Sequence, residues 1–202
     1  MKKPILFIDF DGTICHSKFW RSLAPEEYEK VQCLLFRGDV AFVDDWMRGK
    51  YSSEEANKLV AEAIGLPYEQ VWETFVNDCK TMMVDIETLD RISSLRNKYR
   101  VVLVTGNMDC FSRFTKPALN LENYFDEIIN SYEVGKLKTD NEGEFFKEYA
   151  SQYDTPLEEC YVIDDSEKVC KIFSNLGGKV FRVTSENDIM KHLKQLRLVL
   201  QV

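Results

Sequence analysis

Short apolar runs alternate with amphipathic helical stripes along most of this chain, and that alternation limits the folds open to it. The first run, Pro4–Ile8, is apolar on both of its alternating faces and is the pattern of a strand buried from two sides. Comparable runs stand at Val101–Val104, Tyr161–Ile163 and Val180–Val183, with a weaker one at Glu127–Ile129. Helical patterns lie between them. Ile86, Leu89, Ile92 and Leu95 make one stripe, and a helix from Cys110 to Leu119 is expected to take Asp109 as its N-cap. Further helices are expected near Glu142–Ser151, from Ser166 to the Gly177-Gly178 pair, and from Glu186 to about Leu198. The expected class is therefore α/β, a parallel sheet with helices on both faces.

Residues 16–84 break the rhythm, and no strand is expected there. Pro25 with Glu26 and Glu27 marks a helix start, with proline and acids in the first turn. Ser52 and Glu55 form a capping box, followed at helical spacing by Ala56, Leu59, Val60, Ala63 and Ile64. After Leu66-Pro67, the residues Val71, Trp72, Phe75, Val76 and Cys79 make another stripe. The expected organisation is a core from residues 1–15 and 85–202, interrupted by an all-helical insert at 16–84.

Charge and cysteine content narrow the functional classes. The net charge is −8 and the basic residues are dispersed, which argues against a nucleic acid polymer or an anionic membrane as partner. A small phosphorylated substrate stays compatible, since a metal ion and one or two cations make a local positive site on an acidic protein. None of the six cysteines forms a CxxC pair, so a zinc knuckle is not expected, and reduced thiols suit a cytoplasmic protein. The amino-terminal apolar run is cut by Asp9 and Asp11 and does not read as a signal peptide.

The sharpest local feature is Asp9-Phe10-Asp11-Gly12-Thr13, two carboxylates just past the end of a buried strand. An Asx-turn explains one aspartate there; it explains the pair poorly, because close carboxylates repel unless a cation joins them. Oxygen donors of this kind suit magnesium. A second acidic pair, Asp164-Asp165, closes the strand Tyr161–Ile163 and needs a counter-ion in the same way. Thr105-Gly106-Asn107 follows another strand, where a hydroxyl and a backbone N–H can hold phosphate oxygens. Lys136 and Lys138 follow the weakest strand, and each alone reads as a solvated charge. In open parallel sheets the carboxyl ends of the strands form the ligand edge, which is where all of these residues fall.

In this order the motifs resemble the four-part signature of the haloacid dehalogenase-like hydrolase superfamily. Asp9 to Thr13 resemble its first motif, Thr105 its second, Lys138 its third and Asp164-Asp165 its fourth, although Thr139 and Val169 stand where the family often has proline and an acid. The resemblance implies a Rossmann-like three-layer core, with a helical cap between the first and second motifs. It also implies bound Mg2+ and the roles that follow. Asp9 is the nucleophile that becomes an aspartyl-phosphate, and Asp11 is general acid and base. Lys138 neutralises charge. Thr105, with Gly106 and Asn107, holds the phosphoryl oxygens. Asp9, Asp165 and Asp164 hold the metal, with Asp11 contributing its backbone carbonyl. Branches that dehalogenate or cleave phosphonates lack an aspartate at the position of Asp11, so a phosphatase is the implied activity. A phosphomutase, a receiver-type signalling module and a silent phosphate-binding protein are the alternatives; a receiver orders its acids differently and has no helical insert.

The remaining candidates have plainer explanations. His16 reads as an exposed residue near a hinge and His192 as a surface residue. Arg21, Arg37 and Arg48 could meet an anionic substrate, but solvated helix faces explain them more simply. Trp20, Trp46 and Trp72 read as core.

Overall fold

The computed structural model describes residues 2–199. Five strands, β1 (Ile5–Ile8), β2 (Arg100–Thr105), β3 (Glu127–Asn130), β4 (Tyr161–Asp164) and β5 (Lys179–Arg182), form one sheet in the order β3-β2-β1-β4-β5. Every pairing is parallel. All five sequence runs are strands, and β1 is the central one. Its residues alternate between two cores. Ile5 and Phe7 face one, where Phe7 is ringed edge-on by Phe145, Phe146, Tyr149 and Phe173; Leu6 and Ile8 face the other. This two-sided burial is why the strand needs an unbroken apolar run.

Ten helices accompany the sheet among the described residues. The segment between β1 and the core helix α5 (Ile86–Ser94) holds α1 (Pro25–Val31), α2 (Val40–Met47), α3 (Ser53–Ile64) and α4 (Tyr68–Lys80). Pro25 sits at the start of α1, and the Glu27 carboxylate accepts the Ala24 N–H at 3.1 Å. The Ser52–Glu55 box caps α3, with the Ser52 N–H donating to Glu55 at 2.8 Å. Two features went unanticipated. A π-helical turn, Gln32–Phe36, extends α1, and α2 is a separate helix whose cap is Asp39, accepting the Phe42 N–H at 3.0 Å. Trp20 and Trp46 are fully buried in the same core as Leu6 and Ile8, so the helical segment shares that core with one face of the sheet.

After β2 the chain turns helical at Asp109, through a π-helical turn (Phe111–Thr115) into α6 (Lys116–Ala118). Four more helices follow: α7 (Ser131–Val134), α8 (Glu144–Gln152), α9 (Glu167–Asn175) and α10 (Ile189–Val199). Several expectations are corrected here. Ile86 opens the α5 stripe but is 60% exposed, leaving Leu89, Ile92 and Leu95 to pack. His192 is buried, not on the surface: a ring nitrogen lies 2.8 Å from the Arg182 carbonyl and the ring meets Phe181 edge-on. Asp109 does not cap its helix. Its buried carboxylate accepts from Trp46 Nε1 at 3.0 Å, Ser53 Oγ at 2.6 Å and Arg113 at 2.7 Å, tying the helical segment to the core. The turn is closed instead by Asn107, whose Oδ1 accepts the Met108 N–H at 2.9 Å.

Replacing Asp109 by alanine strands the indole N–H and the Ser53 hydroxyl without an acceptor. Asp109→Ala should lower the unfolding free energy by about 2–3 kcal/mol in urea titrations, and Asp109→Asn by less. A loss within experimental error for Asp109→Ala would contradict this reading of the network.

Candidate active site

The ends of β1 and β4 are held side by side by register, Ile8 pairing with Ile163, and the Asp9 N–H donates to the Ile163 carbonyl at 3.0 Å. That places Asp9 beside Asp164, both nearly inaccessible to solvent. One ligand oxygen from each of Asp9, Asp164 and Asp165 can be chosen so that all lie within 4.8 Å of one another. Lys138 enters from the loop after α7 and donates to Asp9 Oδ1 at 2.6 Å and to Asp164 Oδ2 at 2.5 Å. Of the two candidate lysines, this is the one that reaches the acids; Lys136 turns outward to Glu148 at 2.8 Å.

The loop after β1 is shaped around these acids. Gly12 has φ +80°, and a Cβ there would lie 2.4 Å from Asp165 Oδ2, so only glycine lets the Asp165 carboxylate approach. The Thr13 hydroxyl lies 3.4 Å from Asp9 Oδ2 and accepts the Asp165 N–H at 3.1 Å, linking the two acidic loops. Ser166 fixes the other side, its N–H donating to Asp164 Oδ1 at 2.9 Å. Thr13 lay inside the motif that sequence reading singled out, but its bridging position follows only from the adjacency of β1 and β4.

Asp11 stands apart from the three clustered acids. Its carboxylate is half-buried and accepts from Asn107 Nδ2 at 2.6 Å. The Asn107 N–H donates to Ser131 Oγ at 3.0 Å, so this amide is not free to hold a phosphate oxygen, contrary to the sequence expectation. Thr105 fits that role better: its hydroxyl is buried without a hydrogen-bond partner. Val169, which stands where the family often has an acid, packs in the same core as Ile5 and Phe7.

The charges do not balance. Burial raises Asp9 to about 8, with Asp164 and Asp11 pushing in the same direction and Lys138 pulling against them. Burial also raises Asp11 to about 6, where Lys18 and Lys138 oppose the shift and Asp165 adds to it. Burial alone would lower Lys138, but Asp9 and Asp164 outweigh it and hold the ammonium above its ordinary value. One ammonium thus joins two buried carboxylates while the Asp165 carboxylate stands close to both, and a further cation is what the donor set lacks. Hard oxygen donors at this spacing fit magnesium, and the partnerless Thr105 hydroxyl fits an anionic oxygen.

Beside Asp11 and Asn107 lies a cavity of about 320 Å³, walled on the opposite side by the helical segment. None of the three arginines in that segment is free within it. Arg48 makes a bidentate pair with Asp140 at 2.7 and 3.1 Å, Arg21 donates to the Asp78 and Thr81 carbonyls at 2.8 and 2.9 Å, and Arg37 pairs with Glu29. His16 is exposed, as expected.

Comparison with known proteins gives the family and relatives in fold. Residues 4–177 match the family model for haloacid dehalogenase-like hydrolases, and the chain belongs to that family. A haloacid dehalogenase family enzyme from Bacteroides thetaiotaomicron, solved as a magnesium complex, is similar in fold at 23% identity and TM-score 0.73, over 96% of this chain and 100% of that one. The same enzyme with magnesium and inorganic phosphate gives 22% identity and TM-score 0.72, over 92% and 96%. A 2-haloacid dehalogenase from Pseudomonas syringae pv. Tomato DC3000 gives 13% identity and TM-score 0.68, over 98% of each chain or nearly so (98% and 98%). No curated protein sequence gives a significant match. No helix among the described residues is long and apolar enough to cross a membrane.

Gly12→Ala forces either a left-handed alanine or a displaced Asp165. It should cost about 1–2 kcal/mol of stability from the backbone alone. Urea unfolding of the variant at wild-type midpoint would show that the loop relaxes freely and that Asp165 is not held by it.

Proposed function

We propose that this hydrolase is a magnesium-dependent phosphatase acting on a small phosphorylated metabolite, through an aspartyl-phosphate on Asp9. The observation that carries the reading is the convergence of Asp9, Asp164 and Asp165, the first two joined by Lys138, with a further, separately held carboxyl at Asp11. A dehalogenase needs one carboxylate nucleophile; the proton donor beside it is what an alkoxide leaving group requires.

In the first half-reaction an Asp9 carboxylate oxygen attacks phosphorus and the bond to the ester oxygen breaks. The departing alkoxide takes the proton from Asp11, whose raised affinity keeps a share of it protonated near neutral pH. In the second, the Asp11 carboxylate takes a proton from water as the water oxygen attacks phosphorus. Inorganic phosphate leaves and Asp9 is restored. Asn107 orients Asp11 throughout, Thr105 donates to a phosphoryl oxygen, and Lys138 offsets the charge on Asp9 and the transferring group. Asp9, Asp164 and Asp165 would hold magnesium together with the Asp11 carbonyl; bound there, it would keep Asp9 ionised and draw the phosphoryl oxygens into place. Helices α1–α4 act as a cap that encloses the cavity and excludes water from it. All six cysteines are free and five are buried, which fits a reducing cytoplasm.

Asp9→Asn preserves shape and removes the nucleophile. It should reduce turnover of phosphate monoesters by on the order of 10⁴-fold or more while leaving the unfolding midpoint near wild type. Turnover at the native rate would overturn the assignment. Magnesium gives an independent test without catalysis. At ten times its dissociation constant it should stabilise the wild type by about 1.4 kcal/mol in thermal unfolding, and Asp165→Asn should abolish most of that gain. Equal stabilisation of both proteins would place the metal elsewhere.

A further inference from the structure

Resting on the phosphatase reading, we infer that the alcohol carried by the substrate is compact and largely apolar, aromatic or branched aliphatic, with a single hydrogen-bonding group, and is not a sugar. The cavity next to Asp11 is where that alcohol must sit, because Asp11 is the proton donor to its oxygen. At about 320 Å³ the cavity has room for roughly ten waters' share of volume.

The walls decide the chemistry. Phe19, Phe36, Val43, Met47 and Met108 supply the apolar side, with the two phenylalanines and two methionines offering soft, flat or adaptable surfaces. Phe36 belongs to the π-helical turn that extends α1, and Val43 and Met47 lie on one side of α2, four residues apart. These two elements are the ones the sequence pattern did not announce.

Hydrogen-bonding capacity in the cavity is small. The Asn107 amide is committed to Asp11, and the Ser17 hydroxyl accepts the Met83 N–H at 3.0 Å, which leaves its O–H as a single donor. Gln32 and Lys18 are the other polar side chains of the lining. A hexose carries more hydroxyls than three polar side chains beside an apolar wall can all pair, and each unpaired hydroxyl counts against it. A second phosphate is also disfavoured: Arg21, Arg37 and Arg48 are engaged elsewhere, and Lys18 is the one cation lining the cavity. One amide or anionic group on an otherwise apolar alcohol matches what Gln32 and Lys18 can meet.

The test compares two primary alkyl esters of similar leaving-group basicity, 2-phenylethyl phosphate and glucose 6-phosphate, in magnesium. Acetyl phosphate, which barely enters the cavity, serves as reference. The expected kcat/KM favours 2-phenylethyl phosphate by about 100-fold. Phe36→Ala should lower the ratio of its kcat/KM to that of acetyl phosphate by about 10-fold, chiefly through KM. Glucose 6-phosphate turned over as well as or better than 2-phenylethyl phosphate would overturn the inference while leaving the phosphatase reading intact. Hydrolysis of none of the three, acetyl phosphate included, would overturn the phosphatase reading and this inference with it.

Discussion

A single ammonium, that of Lys138, sits between two buried carboxylates at the edge where β1 and β4 end. Burying two acids side by side, with a third and exposed one close to them, is unfavourable, and the rest of the site can be understood as the means of tolerating it. Parallel pairing sets Asp9 beside Asp164. The glycine turn lets Asp165 come close, and Thr13 and Ser166 tie down the loops that carry them. The excess negative charge that Lys138 leaves uncancelled is what makes the site receptive to a divalent cation.

The helical segment is joined to this centre by polar links as well as by shared core. Asp109 holds Trp46 and Ser53 from the core side. Arg48, at the end of α2, grips Asp140, which in turn accepts the Leu137 N–H at 2.9 Å, one residue before Lys138. The wall of the cavity and the loop that presents Lys138 are thus connected through one ion pair. Both partners of that pair are about a quarter exposed, so its worth lies more in geometry than in stability.

The sheet was legible because its inner strands, buried on two faces, must be apolar almost without a break; Pro4–Ile8 shows this most cleanly, and the half-exposed edge strand Glu127–Asn130 least. The acids were legible because like charges at a strand end demand a partner. What was hidden depends on contacts distant in the chain. Lys136 and Lys138 are alike by residue pattern, so that only the resemblance to the third motif distinguished Lys138; physically it is the path of the loop after α7 that sends one inward and the other to Glu148. Asp109 has the position of a helix cap, yet Trp46 and Ser53, far off in sequence, take its oxygens. Asn107 resembled a phosphate ligand until Ser131 and Asp11 claimed its donors. The short α2 carries too few residues for its period to stand out, and His192 is buried by Phe181 and the Arg182 carbonyl, neither of which its own helix predicts.

The central claim is that Asp9 itself takes the phosphoryl group. Acid quenching during turnover of a phosphate monoester in magnesium, followed by peptide mass spectrometry, tests it directly. A single phosphoryl group on the peptide bearing Asp9, released when the quenched adduct is treated with hydroxylamine, is the predicted result. Steady turnover with that peptide unmodified and the phosphoryl group trapped on another residue would contradict it.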